Sequence, residues 1–265
     1  GMKSQRFGIF VHVPWSSSEY IQRALPSNIL RVILEGMLSN DIIGFQTDEY
    51  AYNFISTCGE FLSTKQCSNG IIYNSREVAV KTYPISVNVE RIQEIALSEE
   101  TIEFVQKIKG FAKDRLLICK VERVEFTKGT IESLEAIGDL LKHDSSLAGK
   151  VLFYIIVIPT RGEIPAYRTL QDLIVSRVQA INSRFVKNTK WNGVIEAPRT
   201  YEDYIKSNLP PIVLDLGVKP FPEVVAIQLA SDIGIVNPLR DGMNLVAKEF
   251  VVANDPGIIN KANEL

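Results

Sequence analysis

The sequence predicts an α/β protein with parallel sheets arranged in two lobes. Short runs rich in β-branched residues alternate with longer segments of helical spacing, which is typical of parallel sheets covered by helices on both faces. The length of 265 residues fits two lobes as well as one large domain. A hairpin pattern over 70–83, followed by Pro84, interrupts the alternation. We therefore expect a first lobe over 1–90 and a second lobe over 91–265.

Individual elements follow from the two periodicities. Apolar residues recur at helical spacing from Ile29 to Met37, and Ser27 is the expected N-cap of that helix. A charge-rich helical segment is expected over 89–113, and the stretch 186–211 breaks the alternation as an insertion would. The predicted buried strands are Phe7–Val13, Asp41–Gln46, Arg115–Val121, Val151–Ile158, Ile212–Leu216 and Asp232–Asn237.

Composition and charge exclude several classes of protein. Hydrophobic residues make up 46% and charged residues 23%, so the chain can bury a core and is not disordered. The formal net charge of −2 provides no basic field for a nucleic acid. The 3 cysteines form neither a C-x-x-C pair nor a Cys/His cluster, which favours a reducing, cytoplasmic location. The longest apolar run, 151–158, is too short for a membrane span, and no signal-peptide core opens the chain.

The strongest local pattern lies between the strand ending near Val121 and the helix starting near Thr130. Ligands of parallel α/β sheets bind at this position, beside a helix N-terminus. Arg123 and Lys128 add two positive charges and Gly129 allows a tight turn, so a diphosphate is the expected ligand. The alternative is a pair of solvated surface cations beside a turn glycine.

A second pattern of the same kind covers 236–253. Gly242 is expected at positive φ, and the amides of Met243, Asn244, Leu245 and Val246 at the helix start are expected to face an anion or a hydroxyl group. Asp241 supplies an acceptor for sugar hydroxyls, although it could equally cap the helix. A carboxylate such as Glu249, one turn into the helix, suits a cis-diol such as a ribose.

Two further residues follow predicted strands. Arg161 comes after the strand 151–158 and is expected to converge with Arg123 and Lys128 on one cleft. His12 ends the first strand, where a lone histidine is more often a core residue than a functional one. The sequence contains no D-x-D pair and no Ser/His/Asp pattern, so it indicates neither a metal site nor acyl transfer.

Five segments together resemble the trehalose-6-phosphate synthase family. The last of them, Arg-Asp-Gly-Met-Asn-Leu-Val-Ala-Lys-Glu, is close to a family signature. The five segments are 7–14, 41–47, 121–129, 159–161 and 240–249. Because they occur in the family's order over nearly the whole chain, the resemblance implies the GT-B architecture, with two Rossmann-like lobes and an incomplete first lobe.

The resemblance implies that the chain is a metal-independent, retaining glycosyltransferase of trehalose biosynthesis. UDP-glucose would be the donor substrate and glucose 6-phosphate the acceptor, with no cofactor and no nucleic-acid or membrane partner. By matching position, Arg123 and Lys128 would bind the donor diphosphate, and Arg161 the acceptor phosphate. Asp241 and the amides after Gly242 would hold the transferred glucose, Glu249 the ribose, and His12 a glucose hydroxyl. The resemblance is also compatible with a homo-oligomer or a subunit of a trehalose-synthesis complex.

The sequence also departs from the family pattern. Family members are markedly longer. The resemblance implies that this sequence begins inside the first lobe, so we expect it to lack the family's glycine-rich loop and the aromatic residues of the acceptor site. Glu125-Phe126 replaces the usual Asp-Tyr, and Trp15 replaces a usual Phe. A second hypothesis follows, in which the chain is a fragment or a non-catalytic regulatory subunit that retains the fold and sugar-nucleotide binding.

Overall fold

The computed structural model describes residues 5–185, 193–196 and 210–264. They form two compact units. The first comprises residues up to Ser86 together with Arg240–Met243, and the second comprises Val87–Leu239 and the residues from Asn244 onward. Most of the stretch 186–211, expected to be an insertion, lies outside the described residues.

The first unit is built on a mixed five-stranded sheet in the order β1-β2-β5-β4-β3. Parallel pairing joins β1 to β2 and β2 to β5. The expected hairpin is the antiparallel pair of β4 and β5, and β3 adds an antiparallel pair with β4 that the sequence did not predict. The strands are β1 (Gly8–Val11), β2 (Ile42–Phe45), β3 (Lys65–Cys67), β4 (Gly70–Tyr73) and β5 (Arg76–Thr82). The helices are α1 (Ser18–Ala24), α2 (Ser27–Leu38) and α3 (Asp48–Phe61).

The second unit is built on a parallel five-stranded sheet in the order β10-β6-β7-β9-β8. Its strands are β6 (Leu116–Arg123), β7 (Val151–Ile158), β8 (Val194–Glu196), β9 (Ile212–Leu216) and β10 (Ile233–Gly234). Its helices are α4 (Val89–Ala96), α5 (Glu99–Ala112), α6 (Thr130–His143), α7 (Pro165–Asn182), α8 (Phe221–Ala230), α9 (Leu245–Ala253) and α10 (Pro256–Glu264). Two short 3₁₀ turns cover Phe126–Lys128 and Ser145–Gly149.

Helices cover both faces of this parallel sheet, as the alternation of periods predicts. On one face, β6 residues such as Leu117 and Cys119 pack in a core with α4, α5 and α8. On the other face, Ile118 and Val124 pack with α6 and α7. The central strand β7 is buried on both faces, which explains its uninterrupted apolar sequence.

Two local expectations are corrected. Ser27 is the first residue of α2 and Pro26 holds the N-cap position, because the proline ring already fixes φ for a helix entry. The helical segment 89–113 is two helices, since the Ser98 hydroxyl accepts a hydrogen bond from the Thr101 amide and begins α5 anew.

Candidate functional site

The candidate site of the second unit lies at the carboxyl edge of its parallel sheet. β6 and β7 end together, with Arg123 opposite Ile158 in register, and the amide of Val124 donates to the Ile158 carbonyl at 2.9 Å. The Thr160 hydroxyl donates to the Val124 carbonyl at 2.9 Å. The loops that follow these two strands are therefore hydrogen-bonded to each other, and Arg123 at the end of β6 lies on the same edge as Arg161.

Arg123 is half exposed and forms an ion pair with Glu125. Its Nη2 lies 2.9 Å from Glu125 Oε1, and 55% of the Arg123 side chain is exposed against 16% for Glu125. An ion pair this exposed contributes little to stability, about 0–1 kcal/mol. It does orient the guanidinium, and an anion arriving at this edge would compete with Glu125 for its donors.

Lys128 ends a 3₁₀ turn, and Gly129 is the N-cap of α6. Gly129 has φ of 69°, in the left-handed region that favours glycine, and a Cβ there would lie 3.0 Å from the Asn237 carbonyl oxygen. The Leu239 amide donates to the Thr127 carbonyl at 2.8 Å. The turn is therefore held against the loop that follows β10, and it presents Lys128 beside the N-terminus of α6, where anions are stabilised.

The sequence did not predict a buried polar network in which β6 is linked to the first residue of α6 and to the loop after β10. Lys120 Nζ lies 2.8 Å from Glu122 Oε2, and the two side chains are 3% and 7% exposed. Glu122 also accepts a hydrogen bond from the Thr130 hydroxyl, and Lys120 donates to Asn237 Oδ1 at 2.6 Å. Burial raises the pKa of Glu122, and Lys120 offsets part of that rise. The available indication was the Lys-x-Glu spacing, which puts both side chains on one face of an apolar strand.

Arg161 is arranged by an aromatic neighbour. Its Nη1 donates to the Tyr167 hydroxyl at 2.7 Å, and its guanidinium lies 5.4 Å from the centre of the Tyr167 ring. Phe126 meets the same ring edge-on at 5.5 Å. Arg161 has φ of 50°, a conformation that costs free energy in a non-glycine residue and is concentrated at functional sites. The Phe126–Tyr167 contact ties the loop after β7 to the Lys128 turn.

The α9 start differs in detail from the sequence prediction. Asn244 is the N-cap, and its side chain accepts from the Ala247 amide at 3.0 Å, so Asp241 does not cap this helix. Helix geometry leaves the amides of Leu245 and Val246 without an intrahelical acceptor, as it does the amide of Met243, which precedes the helix. The ligand contacts expected of these amides stay predictions.

Glu249 lies on α9, one turn after Leu245, and is partly buried. Burial raises the pKa of its carboxyl group, and the neighbouring Gln228 carboxamide offsets part of that rise. Gln228 on α8 is fully buried, and neither of its side-chain polar atoms makes a hydrogen bond of normal geometry within the described part of the chain. The Glu249 carboxylate is thus shielded from water on the side that faces Gln228, and this low-dielectric surrounding strengthens any hydrogen bond that it accepts from a ligand.

His12, Asp241, Gly242 and Met243 belong to the first unit. His12 is exposed and follows β1, with its ring 4.7 Å from that of Phe10, so the interpretation as a core histidine is wrong. Gly242 is not at positive φ, which corrects that expectation. Glycine is required there because the His12 carbonyl oxygen occupies the space of a side chain. The Tyr50 hydroxyl donates to the Asp241 carbonyl at 3.0 Å.

The sequence profile of glycosyltransferase family 20 matches residues 2–263, nearly the whole chain. The chain belongs to glycosyltransferase family 20. Similar proteins of this kind include the UDP-forming α,α-trehalose-phosphate synthase of Pichia angusta, which is 32% identical over 252 residues. The match covers 95% of this chain and 48% of the relative. The chain therefore spans about half the length of the curated relatives it matches.

Solved structures agree with this family 20 assignment. A Burkholderia xenovorans α,α-trehalose-phosphate synthase in complex with glucose 6-phosphate matches with a TM-score of 0.81 and 30% identity, over 96% of this chain and 52% of that one. An E. coli trehalose-6-phosphate structure bound with UDP-2-fluoro glucose matches with a TM-score of 0.79 and 27% identity, over 95% and 51%. These similarities confirm the predicted α/β GT-B architecture with parallel sheets.

Two further findings concern the part of the chain that the structure describes. None of the helices in the described ranges combines the length and the apolar character that a membrane crossing requires. Across residues 5–185, 193–196 and 210–264, no group of three or more His, Cys, Asp or Glu side chains is placed to hold a metal ion.

Proposed function

We propose that this chain binds UDP-glucose at the carboxyl edge of the second unit. The proposal rests on the positions of Arg123 and Lys128. Arg123 ends β6, and Lys128 lies beside the N-terminus of α6 in a turn that is hydrogen-bonded to the loop after β10. Charge-assisted hydrogen bonds from these side chains suit the two phosphates of a nucleotide sugar. The same contacts stabilise the charge of the departing UDP, which is the electrostatic contribution that dominates many transfer reactions.

The reaction we propose is transfer of glucose to glucose 6-phosphate, giving trehalose 6-phosphate with retention and without a metal. Arg161 would bind the acceptor phosphate. Asp241 and the amides after Gly242 would hold the glucose, and His12 would contact one of its hydroxyls. Retention often uses a carboxylate nucleophile. We propose instead a reaction on one face of the sugar, in which the leaving phosphate takes the proton of the acceptor hydroxyl.

The remaining contacts belong to the nucleoside part of the donor. Glu249 would accept hydrogen bonds from the ribose hydroxyls, because its partly buried carboxylate lies one turn into α9. We also propose that the protein works in the cytoplasm. A homo-oligomer or a complex of trehalose synthesis is the assembly we propose for it.

The second candidate is a regulatory subunit that binds the nucleotide sugar without turnover. Its support is the departure of Glu125-Phe126 and Trp15 from the family pattern. Both candidates predict UDP binding, and turnover separates them. Release of UDP from UDP-glucose, dependent on glucose 6-phosphate, would support the enzyme, and binding without release would support the regulatory subunit.

Removal of either cation tests the donor site directly. We expect Arg123→Ala and Lys128→Ala each to weaken UDP binding by about 1.5–3 kcal/mol, the value of a hydrogen bond to a charged group. Isothermal titration calorimetry with UDP measures the loss. Lys142→Ala is the matched control, since Lys142 is exposed in the last turn of the same helix α6. Unchanged UDP affinity in both site variants would remove the donor-site assignment.

A further inference from the structure

The buried Lys120–Glu122 pair of β6 connects this strand to α6 and to the loop after β10, next to the turn that carries Lys128. Glu122 reaches the first turn of α6 through the Thr130 hydroxyl, and Lys120 reaches the loop after β10 through Asn237. Ser133 closes the network, because its Oγ lies 3.0 Å from Asn237 Oδ1 and 2.8 Å from the Gly129 carbonyl oxygen. Every polar contact of the network thus ends on a segment that bounds the turn.

Stability alone does not explain why two charges are buried here. Taking both ions out of water costs several kcal/mol for each, and apolar replacements of buried ion pairs are often neutral or stabilising. The surrounding face of the sheet is apolar, with Ile118 and Val124 on the same side of β6. Methionine or leucine would fill this space without a desolvation cost, so the pair is better explained by what it holds in place.

Its geometry provides that explanation. Arg123 follows Glu122 directly, and Lys128 and Gly129 lie between Glu122 and Thr130 along the chain. The Glu122–Thr130 hydrogen bond therefore closes the base of the loop that carries both cations. The Lys120–Asn237 bond holds the neighbouring loop, whose Leu239 amide hydrogen-bonds to the Thr127 carbonyl.

We propose that Lys120, Glu122 and Asn237 are positioning residues of the donor site. They fix the loop 123–129 so that its two cations face the same diphosphate without a rearrangement on binding. The inference rests on the proposed function. It assigns these residues no contact with substrate; they act through Arg123 and Lys128, and preorganised donors bind charge more strongly than mobile ones.

The test removes both charges at once, because loss of one partner leaves the other ion buried and unpaired. The variant Lys120→Met/Glu122→Leu removes both charges together with the contacts to Asn237 and Thr130. We expect its melting temperature to stay close to that of the unaltered chain. Its UDP affinity should fall about 10-fold by calorimetry, while UMP affinity changes little, so the preference for UDP over UMP collapses. A merely structural role would not lower that preference.

Two companion variants keep the test decisive. Arg177→Met/Glu135→Gln removes an exposed ion pair between α7 and α6, 3.3 Å long in the structure, and should change neither stability nor affinity. Asn237→Ala is expected to fold because it changes an exposed residue, and it should show the same loss of UDP preference. An unchanged preference for UDP over UMP in either folded site variant would overturn the inference. Absence of UDP binding by the unaltered chain would overturn the proposed function and this inference with it.

Discussion

Gly129 and Gly242 differ in whether the reason for the glycine could be predicted from the sequence. Gly129 meets the expectation for a tight turn, with φ of 69°. Gly242 is equally conspicuous in the sequence, yet its backbone is not left-handed, and a β-carbon there would collide with the His12 carbonyl. Local sequence indicates that a glycine is needed, but close approach of a distant backbone segment can only be seen once the chain is folded.

Gly242→Ala should destabilise the protein. The added methyl group meets a backbone carbonyl that cannot rotate away, so the segment 240–243 must shift, at a cost of about 1–3 kcal/mol, as for overpacking in general. Urea unfolding measures the loss. Gly36→Ala is the control: Gly36 is an exposed position of α2 with no atom within contact distance, and alanine there should be neutral or stabilise by about 0.5–1 kcal/mol. Equal stability of the two variants would contradict the close-approach explanation.

The sequence predicted where the three cations of the second unit lie, but not which side chains they contact. The sequence places Arg123, Lys128 and Arg161 after strands, and the structure puts all three on the carboxyl edge of the sheet in the second unit. Their partners Glu125 and Tyr167 could not be assigned, because each pairing depends on side-chain directions in loops. The proposed roles of these residues remain predictions until binding is measured.

At the scale of elements, strands were predicted better than helix boundaries. The apolar runs of β7 and β9 are found with their expected bounds, since strands buried on both faces need continuous apolar sequence. The predicted strand over 232–237 shortens to β10, Ile233–Gly234, where it pairs with β6. Helix ends depend instead on single capping contacts, such as those of Ser98 and Asn244, and several residues nearby could have made them.

The packing of α9 against α8 predicts a conflict between stability and binding at Glu249. Burial raises the pKa of this carboxyl group above its value in the unfolded chain. The folded state therefore holds the Glu249 proton more tightly than the unfolded chain does. Its stability falls as the pH rises from the unfolded pKa through the folded pKa, so ionised Glu249 destabilises the protein at neutral pH. We expect Glu249→Gln to raise the free energy of unfolding at about pH 7.5, with a smaller gain at about pH 4.

Denaturant unfolding at the two pH values measures this difference. Glu103→Gln on α5 is the control, because Glu103 is exposed and its replacement should change stability little at either pH. The same Glu249→Gln variant should bind UDP more weakly, since a carboxylate is the stronger acceptor for ribose hydroxyls. A variant that is less stable than the unaltered chain at about pH 7.5 would contradict the burial argument.

For the whole molecule, the parallel architecture could be predicted because it depends on periodicity along the entire chain. The hairpin and Pro84 predict a lobe boundary near residue 90, which stays a prediction. The described residues form two compact units with a division between Ser86 and Val87. The return of Arg240–Met243 to the first unit had no indication in the sequence. Such a short segment has too few residues to show a period of its own, and its position follows from contacts with His12 and Tyr50.

The proposed reaction requires separate places for two phosphorylated substrates, and this chain offers cations beside two different strands. Arg123 ends β6 and Lys128 lies in the loop after it, whereas Arg161 follows β7 and is oriented by Tyr167. If Arg161 serves the acceptor, Arg161→Ala should leave UDP affinity nearly unchanged, because the lost charge lies beside a different phosphate. Binding of glucose 6-phosphate to the UDP-saturated chain should then fall strongly, because its charge-assisted hydrogen bonds are lost.

Calorimetry in two stages measures both effects, first with UDP and then with glucose 6-phosphate added to the UDP complex. Arg168→Ala is the control, since Arg168 is an exposed cation in the second turn of α7 and should affect neither ligand. In the competing arrangement, all three cations form one undivided donor site. Arg161→Ala would then weaken UDP as much as Lys128→Ala does. Equal UDP losses in those two variants, with glucose 6-phosphate binding retained, would refute the division between donor and acceptor and leave a general nucleotide-binding cleft.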